Sequence, residues 1–179
     1  MPSLRPAHDL FAWWGKVQTF LINVFVILAG ALVLAAIFLI IVDVCIRALG
    51  FKPPGYTVAV VEYVLLYFVL LSAPYLVRTK GHVLTDILIQ RLQGRLRNFV
   101  EKVIYLICIS ISLTFAFVGG VICFDSFQMG YMDERSIDVP YWLMYALFPP
   151  SFLLIALEFL RYLVGIDSMF SKRDKSEVV

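Results

Sequence analysis

The chain has only two histidines, His8 and His82, and three cysteines, Cys45, Cys108 and Cys123. Neither histidine falls inside a long apolar run, so the paired intramembrane ligands of a haem anchor are missing. The cysteines show neither CxxC spacing nor an even count. Metal sites and disulfide frameworks therefore lack support, and the thiols read as small apolar packing residues. Charge is scarce too: 16% of the residues are charged against 61% hydrophobic, and the net charge is +2. Soluble domains carry about 25% charged residues, so the deficit excludes disorder, a nucleic-acid binder and an ordinary soluble enzyme. No Gly-rich phosphate loop, HExxH or GxSxG pattern occurs. The residues offer no catalytic centre, no metal site and no cofactor site.

What is present is apolar length. Four stretches, about 17–42, 57–77, 103–122 and 139–164, are long enough to cross a bilayer, which takes about 20 apolar residues each. The expectation is an all-α integral membrane protein of four transmembrane helices within residues 17–165. A short N-terminal segment, 1–16, precedes them, and a charged tail, 166–179, follows. Residues 1–16 lack a cleavable signal pattern. Trp13 and Trp14, just before span one, suit the aromatic belt at a membrane interface.

The basic residues set an orientation. Two Lys or Arg precede span one, two lie in loop one, six in loop two, one in loop three and four in the last part of the chain, from Arg161 onward. The positive-inside rule then places both termini in the cytoplasm, in the N-in, C-in topology of an inner-membrane protein. Within about 83–99, Leu84, Leu88, Leu92, Leu96 and Phe99 recur at helical spacing opposite Asp86, Gln90, Gln93 and Arg97. That pattern predicts an amphipathic helix in the membrane plane, its arginines matched to anionic lipid. A cytoplasmic extension of span three is the alternative.

Ionisable residues in or near the spans are the functional candidates. Glu62 lies one to two turns into span two, where the helix dipole favours an anion. It reads as a packing carboxylate, with proton or ion coupling as the sharper alternative. Asp43 and Arg47 stand i,i+4 at the outer end of span one, and Arg47 is expected to approach Glu62 across the Pro53-Pro54-Gly55 hairpin. Glu158 and Arg161 form an i,i+3 pair at the inner end of span four. Pro149-Pro150 removes two amide donors within span four, a structural break in the first instance and a substrate site in the second. Gly119-Gly120 reads as a close helix contact.

Together these residues resemble a known family. Glu62, an aromatic-rich apolar run to Arg78 and Lys80, then Gly81-His82-Val83-Leu84-Thr85-Asp86, are similar to the small membrane subunit (DctQ type) of tripartite ATP-independent periplasmic (TRAP) transporters. Arg47 followed by Gly50, and Val139-Pro140-Tyr141-Trp142 with Pro149 further on, match the exit of span one and the start of span four. Asp43, where a neutral polar residue is usual, and Pro74 depart from the pattern.

The resemblance implies a non-catalytic partner of a large sodium- and substrate-binding subunit of about a dozen spans. It also implies a periplasmic binding protein that delivers an organic acid. In this setting the small subunit enlarges the static scaffold of an elevator-type transport domain. Arg47, Glu62, Arg78, His82, Asp86 and Pro149 become structural or partner-interface candidates. Asp133 and Glu134, in the acidic loop three, become candidates for docking the binding protein. Two rivals remain at this level: a self-sufficient proton-coupled multidrug-type exporter using Glu62, and a membrane anchor of another complex.

Overall fold

A computed structural model describes residues 5–79, 95–133 and 138–164, with side chains from residue 15 in the first stretch and 96 in the second. Helices α1 (Arg5–Ala48), α2 (Thr57–Arg78) and α3 (Arg95–Met129) are followed by a two-stranded hairpin. In the hairpin β1 (Met132–Asp133) and β2 (Val139–Pro140) run antiparallel, Met132 opposite Pro140 and Asp133 opposite Val139. A short helix α4 (Tyr141–Tyr145) and a last helix α5 (Phe148–Val164) complete the described chain. Four helical segments are long and apolar enough to cross a membrane: Gly15–Ala48, Thr57–Arg78, Leu96–Met129 and Tyr141–Val164.

Two glycines end the long helices. Gly50 has φ 80° and Gly130 φ 64°, in the left-handed region where a Cβ is penalised. At Gly50 the amide donates to the Arg47 carbonyl at 3.0 Å, and the Phe51 amide to that of Ile46 at 3.1 Å. That pair of bonds is the Schellman closure, which satisfies carbonyls left open at a helix C-terminus. Gly130 caps α3 with one bond to Ser126 at 3.1 Å.

The helices pack in the order α1–α2–α5–α3, with α4 resting mainly on α3. The two outer helices are each attached along a seam of seven-residue spacing. Ile22, Ala29, Ala36 and Asp43 are buried on α1, and Tyr105, Ser112, Gly119 and Ser126 on α3. Seven-residue spacing keeps a narrow stripe facing one partner along a long helix. The small residues in these stripes let the backbones approach, as in membrane helix pairs. With the end of the bundle where α2 and α5 finish called inner, and the opposite end outer, the inner half between α2, α3 and α5 is filled by Val77, Tyr105, Ile155, Phe159 and Tyr162. The Tyr105 ring lies 5.9 Å from that of Tyr162 and 6.4 Å from that of Phe159.

Several expectations change. Span one is the inner part of a helix that begins at Arg5, and span three extends beyond its expected limits at both ends. Residues 95–99, expected at the end of the in-plane helix, are continuous with α3; residues 80–94 lie outside the described residues. The expected proline break within span four needs correction. The helix is interrupted at Ala146-Leu147, and Pro149 and Pro150 occupy the first turn of α5. Proline is tolerated there, because first-turn amides have no intrahelical acceptor. The hairpin in loop three was not foreseen.

Candidate functional site

The ionisable groups of the described spans collect at the two ends of the helices. At the inner end Glu158 of α5 is 1% exposed, and a buried carboxylate must find cations or donors. Arg161, one turn on, places Nη1 3.3 Å from Oε2. Arg78, the last residue of α2, brings its own Nη1 to 3.8 Å from Oε1, an ionic contact longer than a hydrogen bond. Arg78 also donates from Nη2 to the Thr19 hydroxyl at 2.7 Å, and that hydroxyl donates to the Gly15 carbonyl at 2.6 Å. Tyr162 donates to the Val77 carbonyl at 3.2 Å. One knot of side chains thus ties α1, α2 and α5 together. Beside Thr19, Gln18 is buried at 3% exposure, and neither atom of its amide has a hydrogen-bond partner among the described residues.

At the outer end Arg47 donates from Nε to Asp43 Oδ2 at 2.8 Å. Asp43 is the last member of the α1 seam, buried at 7% exposure. Among the described residues Arg47 therefore pairs with Asp43, its neighbour on the same helix, and not with Glu62. Glu62 lies exposed on the second turn of α2. Tyr63 beside it donates to Asp133 Oδ2 at 2.8 Å, and Asp133 is buried at 7% exposure. The first strand of loop three is thereby fastened to α2. Where span four is interrupted, the Tyr67 hydroxyl of α2 donates to the Leu143 carbonyl at 2.8 Å, and the Ser151 amide to that of Leu147 at 3.2 Å. Backbone acceptors at membrane depth need such partners, since lipid provides none.

Where α3 meets α5 the contact is tight. A Cβ added to Gly119 would stand 2.6 Å from Phe148 Cβ, and one on Gly120 would stand 3.7 Å from Pro149 Cγ. The glycine pair is the close helix contact expected of it, and Pro149 packs over its second member.

Of the sequence candidates, the structure joins Arg78 to Glu158, places Pro149 against Gly120, and pairs Arg47 with Asp43. His82, Asp86 and Glu134 lie outside the described residues. Sequence reasoning missed Glu158 as the partner of Arg78, and Tyr63 as the partner of Asp133. The first was signalled by opposite charges at the same inner depth of two spans. No local pattern signalled the second.

No group of three or more His, Cys, Asp or Glu side chains able to hold a metal ion occurs among the described residues. Two open grooves run along α3. One of about 380 Å³ is lined by the apolar residues Ala116, Phe117, Gly120, Val121 and Phe124. The other, about 430 Å³ at the outer end, gathers Asp125 with Tyr131, Tyr141 and Tyr145. Chemically, this arrangement holds helices to one another. It brings no acid and base together at the middle of a described span.

Comparison with known proteins gives a family match. The profile of the family described as tripartite ATP-independent periplasmic transporters, DctQ component, covers residues 36–167, more than half of the chain. No curated protein and no solved structure matches it.

Proposed function

Since the chain belongs to the DctQ family, the small membrane component of TRAP transporters, we propose that it enlarges the static scaffold on which the large transport subunit moves. It is a transporter component and not an enzyme, a multi-pass protein of the inner membrane whose family works with a large membrane subunit and a binding protein. In this reading sodium and an organic acid bind to the large subunit, which moves them by an elevator-type motion. Both termini face the cytoplasm. The segment 83–94, ahead of α3, lies in the membrane plane on anionic lipid, with His82 and Asp86 at its start.

The observation that carries the scaffold reading is the placement of charge. Arg78 joins Glu158 between two helices at one end, while Arg161 with Glu158 and, at the other end, Asp43 with Arg47 pair within their own helices, so these charges are engaged inside this chain. A carrier site is expected near the midplane, at ionisable groups or interrupted helices facing a cavity. The interruption at Ala146-Leu147 is closed by Tyr67 and by the α3 glycines. Arg47, Glu62 and Pro149 serve as structural or partner-facing residues on the outer half. With Asp133 engaged by Tyr63, docking of a binding protein at loop three rests on Glu134 and its neighbours.

The test is purification of the chain from its native membrane in mild detergent, followed by reconstitution. A large polytopic protein in stoichiometric yield, and sodium-dependent uptake of an organic acid only when both are present, is the expected result. A self-sufficient homodimer that exchanges protons for substrate through Glu62 would overturn it.

A further inference from the structure

α1 is held by one seam, Ile22, Ala29, Ala36 and Asp43, and that seam packs on α2. A second stripe runs beside it at the same seven-residue spacing: Lys16, Asn23, Gly30, Ile37 and Val44, every member exposed. It lies about 100° around the helix from the seam.

Two members of this stripe are ill suited to lipid chains. Asn23 stands about 10 Å along the helix from Lys16 at the usual rise per residue, inside the uncharged run from Phe20 to Val42. No described residue hydrogen-bonds its carboxamide. Elsewhere lipid-facing hydroxyls are satisfied at home: Ser110 donates to the Leu106 carbonyl at 2.9 Å and Thr114 to the Ser110 carbonyl at 2.9 Å. A carboxamide carries two donors and an acceptor oxygen, more than its own helix can satisfy. In membranes such side chains bond across to another helix. Gly30 is the second anomaly. Glycine weakens a helix interior relative to alanine, yet a Cβ built there meets nothing within 4 Å. No neighbour among the described residues requires the small residue, whereas a second helix in close approach would.

We propose that this face of α1, centred on Asn23 and Gly30, is covered by a transmembrane helix of the large membrane subunit. That helix presents a hydrogen-bonding group to Asn23 and comes closest at Gly30. The proposal rests on the subunit reading above and adds the face that is used. A second copy of this chain fits less well. In a parallel pair meeting face to face along this stripe, Lys16 would oppose Lys16 at the same depth, and such like-charge contacts disfavour a partner.

The test places a photo-crosslinking residue at Leu34 or Ile41, on the proposed face, and at Leu21 or Leu28, on the other side of the seam, in the complete complex in native membranes. Adducts with the large subunit from Leu34 and Ile41 but not from Leu21 and Leu28 are expected. N23L and G30I should lower the co-purified large subunit several-fold while leaving the melting temperature of the isolated chain unchanged. Adducts only from Leu21 and Leu28, with the large subunit still co-purifying, would overturn the face and spare the subunit reading. So would an adduct of twice the chain's mass. Unmodified chain that captures no large subunit would overturn the subunit reading itself.

Discussion

Arg78 on α2 and Glu158 on α5 meet at 3.8 Å at the inner end of the helices, with Arg161 closing on the same carboxylate at 3.3 Å. A carboxylate at 1% exposure between two guanidinium groups has no access to water. Its two cations therefore decide whether it is tolerated. Removing Glu158 leaves two guanidinium groups, 27% and 25% exposed, without their shared anion, at a cost below the about 3–5 kcal/mol of a fully buried uncompensated charge. Glu158→Ala should accordingly lower the melting temperature sharply in detergent, more than any single substitution on the exposed face of α1. Replacing all three by apolar residues of similar size, R78M/E158L/R161M, should recover most of the loss, because buried ion groups are often no better than well-packed apolar ones. Thermal unfolding of the three-residue variant beside Glu158→Ala checks both statements, and an unchanged midpoint for Glu158→Ala refutes the first.

The adjacent glycines of α3 make a sharper contrast. At Gly119 an added methyl would overlap Phe148 Cβ at 2.6 Å, and that atom sits next to the backbone and cannot swing away. At Gly120 the nearest atom would be at 3.7 Å, ordinary contact. Gly119→Ala should destabilise by about 1–3 kcal/mol through overpacking. Gly120→Ala should be neutral or stabilising by up to about 1 kcal/mol, since alanine is the better helix former. Unfolding midpoints of the two variants, prepared side by side, should show Gly119→Ala below the parent and Gly120→Ala at or above it.

Much of this was legible before any coordinates. Long uncharged runs announce spans because lipid accepts little else, and the glycine pair announces a close contact because nothing else needs two small residues there. Asp43 and Arg47 were readable as a pair because i,i+4 spacing is local. Arg78 and Glu158 were each visible, but the link between them depends on α2 and α5 becoming neighbours, which periodicity within a helix does not encode. The break in span four was half legible. The prolines marked it, but the interruption falls before them, because proline fits the first turn of a helix. The reach of α1 back to Arg5 was missed for a different reason: the mixed composition of residues 1–16 carries no apolar period, although the helix is already formed at Arg5.

Tyr63 and Asp133 join α2 to the hairpin of loop three by a 2.8 Å bond. Tyr63→Phe keeps the ring and removes the donor, leaving a buried carboxylate with one partner fewer, at about 1–3 kcal/mol. The effect should stay local. Amide hydrogen exchange in residues 131–141 should quicken, while the inner half around Tyr105 and Phe159 keeps its protection. Equal acceleration at both ends would mean that the bond supports the whole fold and not the outer loop alone.

Gln18 offers a stabilising change. It is buried at 3% exposure in α1, and both polar atoms of its side chain lack a hydrogen-bond partner among the described residues. Such an amide carries a desolvation penalty of about 1–3 kcal/mol. Methionine has nearly the same length and flexibility and no polar group, so it fits the space without the penalty. Gln18→Met should therefore raise the unfolding midpoint of the isolated chain, where almost any other substitution in a buried seam would lower it. The knot next to it should persist, because the Arg78 bond goes to the Thr19 hydroxyl and not to the amide. Thermal unfolding of Gln18→Met beside Thr19→Val distinguishes the two roles: the first variant should gain stability and the second should lose it. A loss in both would mean that the Gln18 amide is held by a partner in the folded protein.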